Sequence, residues 1–390
     1  SPLAYEFTRK IFSIIGIPVA NVFSDFTSYD LINPDKKDKL IQELKDMNFK
    51  VTTGNPPYQE STKNVGDRPN PIYHKIMDFA YDISNTSVLI HPARFLFDAG
   101  QTPTIWNQQM LHDVHFKVLR YESDGTKMFQ EIDLKGGVAI TLRDLRSEFT
   151  PIEIFSPYLE LNHIGIKVGK LMDSKHIGTI IAAQGLFRFS RDFFSDYPNA
   201  AKKMGKGTGS KIVSSVIEKM PEVFLNKEVE NGVRFLGRLK TQNGYDRQYK
   251  YIKRKYLEEN EYIDAYKLFL PEANNTGTFG EILTEPTIGL PGDGSSDTYL
   301  SAGKFSTKEE ALNFSTYFKT KFFRALLGIR KVTQHCPSQV WETIPLQDFT
   351  PNSDIDWSKS VADIDQQLYA KYGLTQEERD FIERMVKPMK

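Results

Sequence analysis

The chain has 390 residues, 50 Lys plus Arg against 50 Asp plus Glu, and no net charge, so any surface for a polyanion must come from local segregation of charge. Aromatic residues make up 12 %, which excludes a disordered chain, and Cys336 is the single cysteine, which excludes a disulfide framework and a cysteine zinc site. No apolar run reaches membrane-spanning length and no signal peptide is visible, so a reducing cytoplasm fits.

In chain order, LAYEFTRKIFSII spaces Leu3, Phe7, Ile11, Ile14 and Ile15 as one helix face, ended by Gly16. Residues 20–23 read as a short strand opening into a loop at Ser24-Asp25-Phe26, residues 36–47 as a polar helix, and residues 49–53 as a strand. That strand runs into Gly54-Asn55-Pro56-Pro57-Tyr58 and cannot continue as a ladder. Two successive prolines remove two backbone donors, and Pro56 biases Asn55 towards an extended shape. The result is a stiff hook carrying an amide, unladdered carbonyls and an aromatic ring. The Asn55 side-chain oxygen and the Pro56 carbonyl can together accept from one planar –NH2 group, with Tyr58 stacked on the ring that bears it. The plain alternative is a proline-rich turn over a buried tyrosine.

Beyond the hook, residues 59–70 read as a polar loop, Tyr73–Ile83 as a helix, and Thr86–His91 as a buried strand ended by Pro92. A helix near 104–111 and strands near 115–121 and 137–142 follow. Strands alternating with helices argue an α/β layered domain with ligands at the strands' C-terminal ends.

From about residue 155 the rhythm changes to irregular segments and Gly/Ser/Asn-rich loops. Between 201 and 256 there are 14 Lys or Arg against 5 Asp or Glu, and tyrosines interleave with that charge in YDRQYKYIKRKY. This pattern suits a phosphate-facing surface, with Lys206, Arg247, Lys250, Lys253, Arg254 and, later in the chain, Lys331 as candidate contacts; the plain alternative is a solvated helix face. Residues 308–330 read as one long helix with a cationic end. The stretch 354–390 reads as two helices parted by Gly373, with Thr375 as an N-cap.

The string GNPPY at 54–58 resembles the catalytic signature of gamma-class N6-adenine DNA methyltransferases from bacterial restriction–modification systems. The resemblance covers most of the chain. It implies an α/β fold: a partial Rossmann-like methyltransferase domain over 1–155, an α+β target-recognition domain over 156–355, and a C-terminal helical segment over 356–390. It further implies transfer of a methyl group from S-adenosyl-L-methionine to adenine N6 in double-stranded DNA by base flipping. Asn55, Pro56, Pro57 and Tyr58 then carry the chemistry, and Tyr58 with Phe129 sandwiches the flipped base. Asp25, Phe26 and Asn55 contact the cofactor, with Asp25 on its exocyclic amine and Phe26 on its ring. The family's Gly-rich cofactor loop is expected upstream of Ser1, as is any fused nuclease.

Three other readings are open. Similar hooks serve protein-glutamine methyltransferases, because glutamine also presents an –NH2 group. A specificity module without chemistry of its own is a second reading. A nuclease is a third, on Asp124 with Asp133-Leu134-Lys135, a short string that arises readily by chance. No metal site is expected at His335-Cys336, Arg94 is as suited to a structural ion pair as to phosphate, and Gly136-Gly137 reads as a turn.

Overall fold

The computed structural model describes residues 2–16, 18, 27, 29–60, 69–98, 101–129, 136–205 and 207–389. The chain divides into two compact units, Ser1–Glu153 and Ile154–Lys390.

In the first unit, helix α1 (Pro2–Ile14) is followed by α2 (Pro34–Asp46). Asn33 caps α2, its side chain accepting from the Asp35 amide, and Pro34 fills the first turn, where a missing N–H costs nothing. Strand β1 (Val51–Gly54) leads to the hook. Then come α3 (Tyr73–Ile83), β2 (Thr86–Pro92), α4 (Thr104–His112), β3 (Phe116–Glu122) and β4 (Val138–Asp144). Helix α3 buries Ile76, Met77, Phe79 and Ala80, the spacing of a single helix face. The strands form one sheet in the order β1-β2-β4-β3. β1 and β2 are parallel, while β4 runs antiparallel to both β2 and β3. The C-terminal ends of β1, β2 and β3 therefore share one edge of the sheet with the start of β4; Pro92 and Glu122 both pair with Val138.

The second unit holds α5 (Leu159–Met172), three short helices α6 (Arg191–Asp196), α7 (Ala200–Lys203) and α8 (Ser214–Lys219), and six strands. These are β5 (Gly232–Thr241), β6 (Gly244–Lys253), β7 (Tyr266–Pro271), β8 (Thr287–Gly289), β9 (Asp293–Ser295) and β10 (Tyr299–Phe305). Helices α9 (Lys308–Lys319), α10 (Lys321–Arg330), α11 (Val361–Lys371) and α12 (Gln376–Met385) close the chain. The strands make two sheets, ordered β10-β7-β8 and β6-β5-β9. Two apolar clusters fill this unit, one among α5 and α9–α12, the other between the β5–β6 hairpin and α6–α8. Strand β7 serves both: Leu268 and Leu270 belong to the first cluster and Phe269 to the second, as the two-residue alternation of a strand requires.

Two expectations differ from the structure. Residues 308–330 form two helices, because Thr320 is extended (ψ 149°) and caps the second one, its hydroxyl oxygen accepting from the Phe323 amide. The Asp365 carboxylate takes the next free amides, Lys321 at 3.0 Å and Phe322 at 2.8 Å. A helix N-terminus with both a hydroxyl cap and a carboxylate is more stable than a continuous helix would be there. Residues 356–390 do not stand apart either. Ile364, Leu368, Phe381 and Ile382 are buried in the same cluster as α5 and α10. Between α11 and α12, Gly373 at φ +60° closes a C-terminal motif in which the Leu374 amide donates to the Tyr369 carbonyl, and Thr375 with Glu378 forms a capping box.

Candidate functional site

The hook leaves the sheet at the C-terminal end of β1. Val51 to Gly54 pair in register with Thr86 to Leu89, and the ladder stops where the prolines begin. Pro56 is buried and Asn55 exposed, so the chain is anchored by one residue and presents the amide of its neighbour. The far side is tied down by backbone alone: the Ile72 amide donates to the Tyr58 carbonyl at 3.1 Å, and Gln59 bridges Pro71. Among the described residues no donor meets the Asn55 side-chain oxygen or the Pro56 carbonyl. The Tyr58 ring is half-buried, and its hydroxyl is enclosed without a hydrogen-bond partner. Burial raises that phenol's pKa, and the nearby Asn55 side chain works in the other direction. A rigid hook with two unengaged oxygens and a fixed ring can receive a planar amine.

The same sheet edge gathers other residues of interest. Phe129 is half-buried in the connection between β3 and β4, where its amide closes a turn on the Gly125 carbonyl at 2.9 Å. The topology thus brings Phe129 to the same end of the sheet as Tyr58. Gly136 and Gly137 both have positive φ, and a Cβ on Gly137 would sit 2.4 Å from the Glu122 carbonyl oxygen, so the pair makes the turn into β4. Under this edge lies His91, fully buried between the Thr141 hydroxyl at 2.8 Å and the Pro92 carbonyl at 3.1 Å. Burial depresses its pKa to about 4, so the imidazole is neutral and part of the support.

Asp25, Phe26, Lys206 and Asp133-Leu134-Lys135 lie outside the described residues. Asp124 caps its own turn, accepting from the Thr126 amide at 3.0 Å and hydroxyl at 2.6 Å. Among the described residues no group of His, Cys, Asp and Glu is placed to hold a metal ion. His335 bonds Glu272 at 3.0 Å, and burial pushes the Cys336 thiol up to about 12.

The expected phosphate contacts separate into two kinds. Lys331 is 4 % exposed and donates to Glu281 at 3.0 Å, so it is a structural cation and that expectation is corrected. Arg324 is buried as well, its guanidinium donating to the Lys319 and Thr320 carbonyls, which removes the supposed cationic end of α10. Arg254 bonds both carboxylate oxygens of Asp264 at 2.6 Å. Lys250 is held by the Asn226 side chain. Arg247 and Lys253 are exposed, with Arg247 braced by the Thr287 hydroxyl at 2.8 Å and the Glu285 carbonyl at 2.7 Å.

YDRQYKYIKRKY is therefore a strand and its exit, not a helix. Tyr245, Arg247, Tyr249 and Tyr251 share one face of β6, opposite Lys240, Arg238, Leu236 and Arg234 of β5. Arg238 and Lys240 are exposed on that face and were missed in the sequence. The signal was the alternation in VRFLGRLK, which places every cation on one side and the apolar residues Val233, Phe235 and Leu239 on the other.

Residues 19–129 match the Eco57I restriction-modification methylase family model. This methylase-like segment includes β1, the hook and Phe129, and the match supports a DNA-methyltransferase role. Among solved structures, the chain is similar to the type IIG restriction endonuclease BpuSI at 11 % identity and a TM-score of 0.28. The matched region covers 88 % of this chain and 54 % of that one, so the chain spans about half the length of the endonuclease. No curated protein matches. Among the described residues no helix is long and apolar enough to cross a membrane.

Proposed function

We infer that the chain methylates adenine N6 in duplex DNA at a specific site, as part of a restriction–modification system, with S-adenosyl-L-methionine as donor. The observation that carries this reading is the hook: an exposed Asn55 amide and a Pro56 carbonyl, neither engaged by a donor, beside a Tyr58 ring pinned at the end of a parallel strand. The methylase family match over the same residues supports it.

Adenine N6 is a weak nucleophile because its lone pair is delocalised into the ring. Asn55 and Pro56 would accept its two N–H bonds, hold the nitrogen towards tetrahedral geometry, and offset the positive charge that grows as it attacks. That is positioning plus electrostatic stabilisation, with no covalent enzyme intermediate. The base must leave the duplex to reach the hook, and Tyr58 and Phe129 supply faces for it. S-adenosyl-L-methionine supplies an electrophilic methyl group when bound. Two oxygens with no competing cation suit that sulfonium as well as the amine, and Asp25 with Phe26 would hold its adenine. The Gly-rich loop that cradles such a cofactor would have a place beside β1, whose outer edge has no strand neighbour among the described residues.

The test is calorimetry of the chain with S-adenosyl-L-methionine, with and without duplex DNA, followed by mass spectrometry of nucleosides after incubation with labelled donor. N6-methyladenine in the duplex is the expected product. N4-methylcytosine, or label on protein glutamine, would overturn the reading.

A further inference from the structure

Strand β9 pairs with β5 only at Arg234, Phe235 and Leu236. Beyond Leu236 the β5–β6 hairpin continues as a two-stranded ribbon to a tip of two residues, Gln242 and Asn243, both exposed. Its inner face is packed: a Cβ on Gly237 would lie 2.9 Å from Ile217 of α8, and Leu239 is 4 % exposed. Its β5 edge is satisfied by side chains, the Arg238 amide donating to the Ser214 hydroxyl at 3.2 Å and the Lys240 amide to Glu218. The ribbon is thus held rigidly from behind and from one side. What remains open is the outer face, which bears Arg238, Lys240, Arg247 and the 60 % exposed Tyr245.

The charge on that face is uncompensated. The carboxylate that shares it, Asp293, is consumed by a bidentate bond with Arg234 at 2.8 and 2.7 Å, and the neighbouring Glu285 pairs with Lys319 at 2.7 Å. Arg238 lies over the Tyr245 ring at 5.9 Å, and Arg247 is braced on the chain preceding β8, so both guanidinium groups are oriented before any ligand arrives. Two strands about 4.8 Å apart with side chains about 7 Å apart along each fit a major groove about 12 Å wide.

We propose that the β5–β6 ribbon enters the major groove of the target duplex, with Lys240 and Arg247 on the flanking phosphates and Arg238, Gln242 and Asn243 on base edges. This rests on the DNA reading above and adds to it the element and side chains that read sequence. An arginine fork matches guanine O6 and N7, and a terminal amide matches adenine N6 and N7, so the tip carries the groups that discriminate purines. Tyr245, standing between them, would pack on a sugar or a thymine methyl.

The test uses the full chain and a fluorescent duplex pool of about 30 base pairs with randomised positions, so that binding is read without methylation. Arg238→Ala with Lys240→Ala should weaken binding by roughly tenfold near physiological salt and lower the slope of log affinity on log salt by about 2. Gln242→Ala with Asn243→Ala should bind the unselected pool within about twofold of the parent but enrich different sequences from it. Lys359→Ala, an exposed cation elsewhere, should behave as the parent. Photocrosslinking of the parent to a 5-iodouracil duplex, which needs no variant to fold, should mark Tyr245. Parent-like binding and selection by both double variants, with no crosslink in the ribbon, would overturn the proposal while leaving DNA binding intact. A parent that binds no duplex, or prefers single strands or RNA, would overturn the ribbon and the DNA reading together.

Discussion

Arg234 and Asp293 face each other across the parallel strands β5 and β9, joined by two hydrogen bonds, and the same guanidinium lies 4.3 Å from the centre of the Tyr249 ring. Asp293 also accepts from the Leu290 amide at 2.8 Å. The carboxylate is almost fully enclosed, so Asp293→Ala leaves a cation and an amide without partners. A loss of about 3 kcal/mol is expected, read as a shift in urea midpoint without a change in slope.

At the hook the expected effects fall on turnover. Asn55→Ala should lower methyl transfer by about a hundredfold or more while duplex affinity and stability stay near the parent's, since the side chain is exposed and unengaged. Single-turnover kinetics beside binding isotherms separates the two. Tyr58→Phe removes a buried hydroxyl that has no partner, so stability should hold or rise slightly and stacking should survive. Tyr58→Ala should cost roughly 1–3 kcal/mol of base-stacking affinity.

The two units should respond in opposite senses to acid. His91 is buried with its pKa depressed to about 4, so below the ordinary histidine value the unfolded chain takes up a proton that the folded one refuses. The first unit should therefore lose stability from about pH 6.5 down to about pH 4, on the order of 3 kcal/mol from this residue. His74, depressed to about 4 by burial and by Lys75, adds in the same direction. In the second unit burial raises Asp365 to about 6. The folded state there binds a proton first, so this group's contribution becomes more favourable as pH falls from 6 towards the ordinary carboxylate range. Hydrogen exchange at pH 7 and pH 4.5, resolved by peptide, would reveal the opposition; parallel loss of protection in both units would contradict it.

Lys331 and Lys240 make a matched pair for a fourth expectation. Lys331→Ala strands the half-enclosed Glu281 and should cost about 3 kcal/mol of stability with no change in the salt slope of DNA binding. Lys240→Ala should do the reverse.

How much of this was written in the sequence depends on how local the cause is. Helix α3, strand β2 and helix α4 were legible to within a residue or two, because periodic burial marks them. The hook was legible because proline chemistry acts on its own neighbours. The break at Thr320 was not, since the carboxylate that stabilises it, Asp365, lies more than forty residues away. Nor was the fate of Arg324 and Lys331. A cation in the last turn of a helix ordinarily faces water, and only the fold supplies the carbonyls and the Glu281 carboxylate that take these two inside. The basic tyrosine-rich run was legible in composition and misread in shape, because its alternation becomes decisive only with β5 laid beside it.

Strand β7 has a consequence of its own. With Leu268 and Leu270 on one side and Phe269 on the other, a single six-residue segment is common to both apolar interiors of the second unit. Neither interior can melt without stripping one side of that segment, so heat or denaturant should meet residues 154–390 as one all-or-none block. A calorimetric enthalpy for that block equal to its van't Hoff value would be the signature.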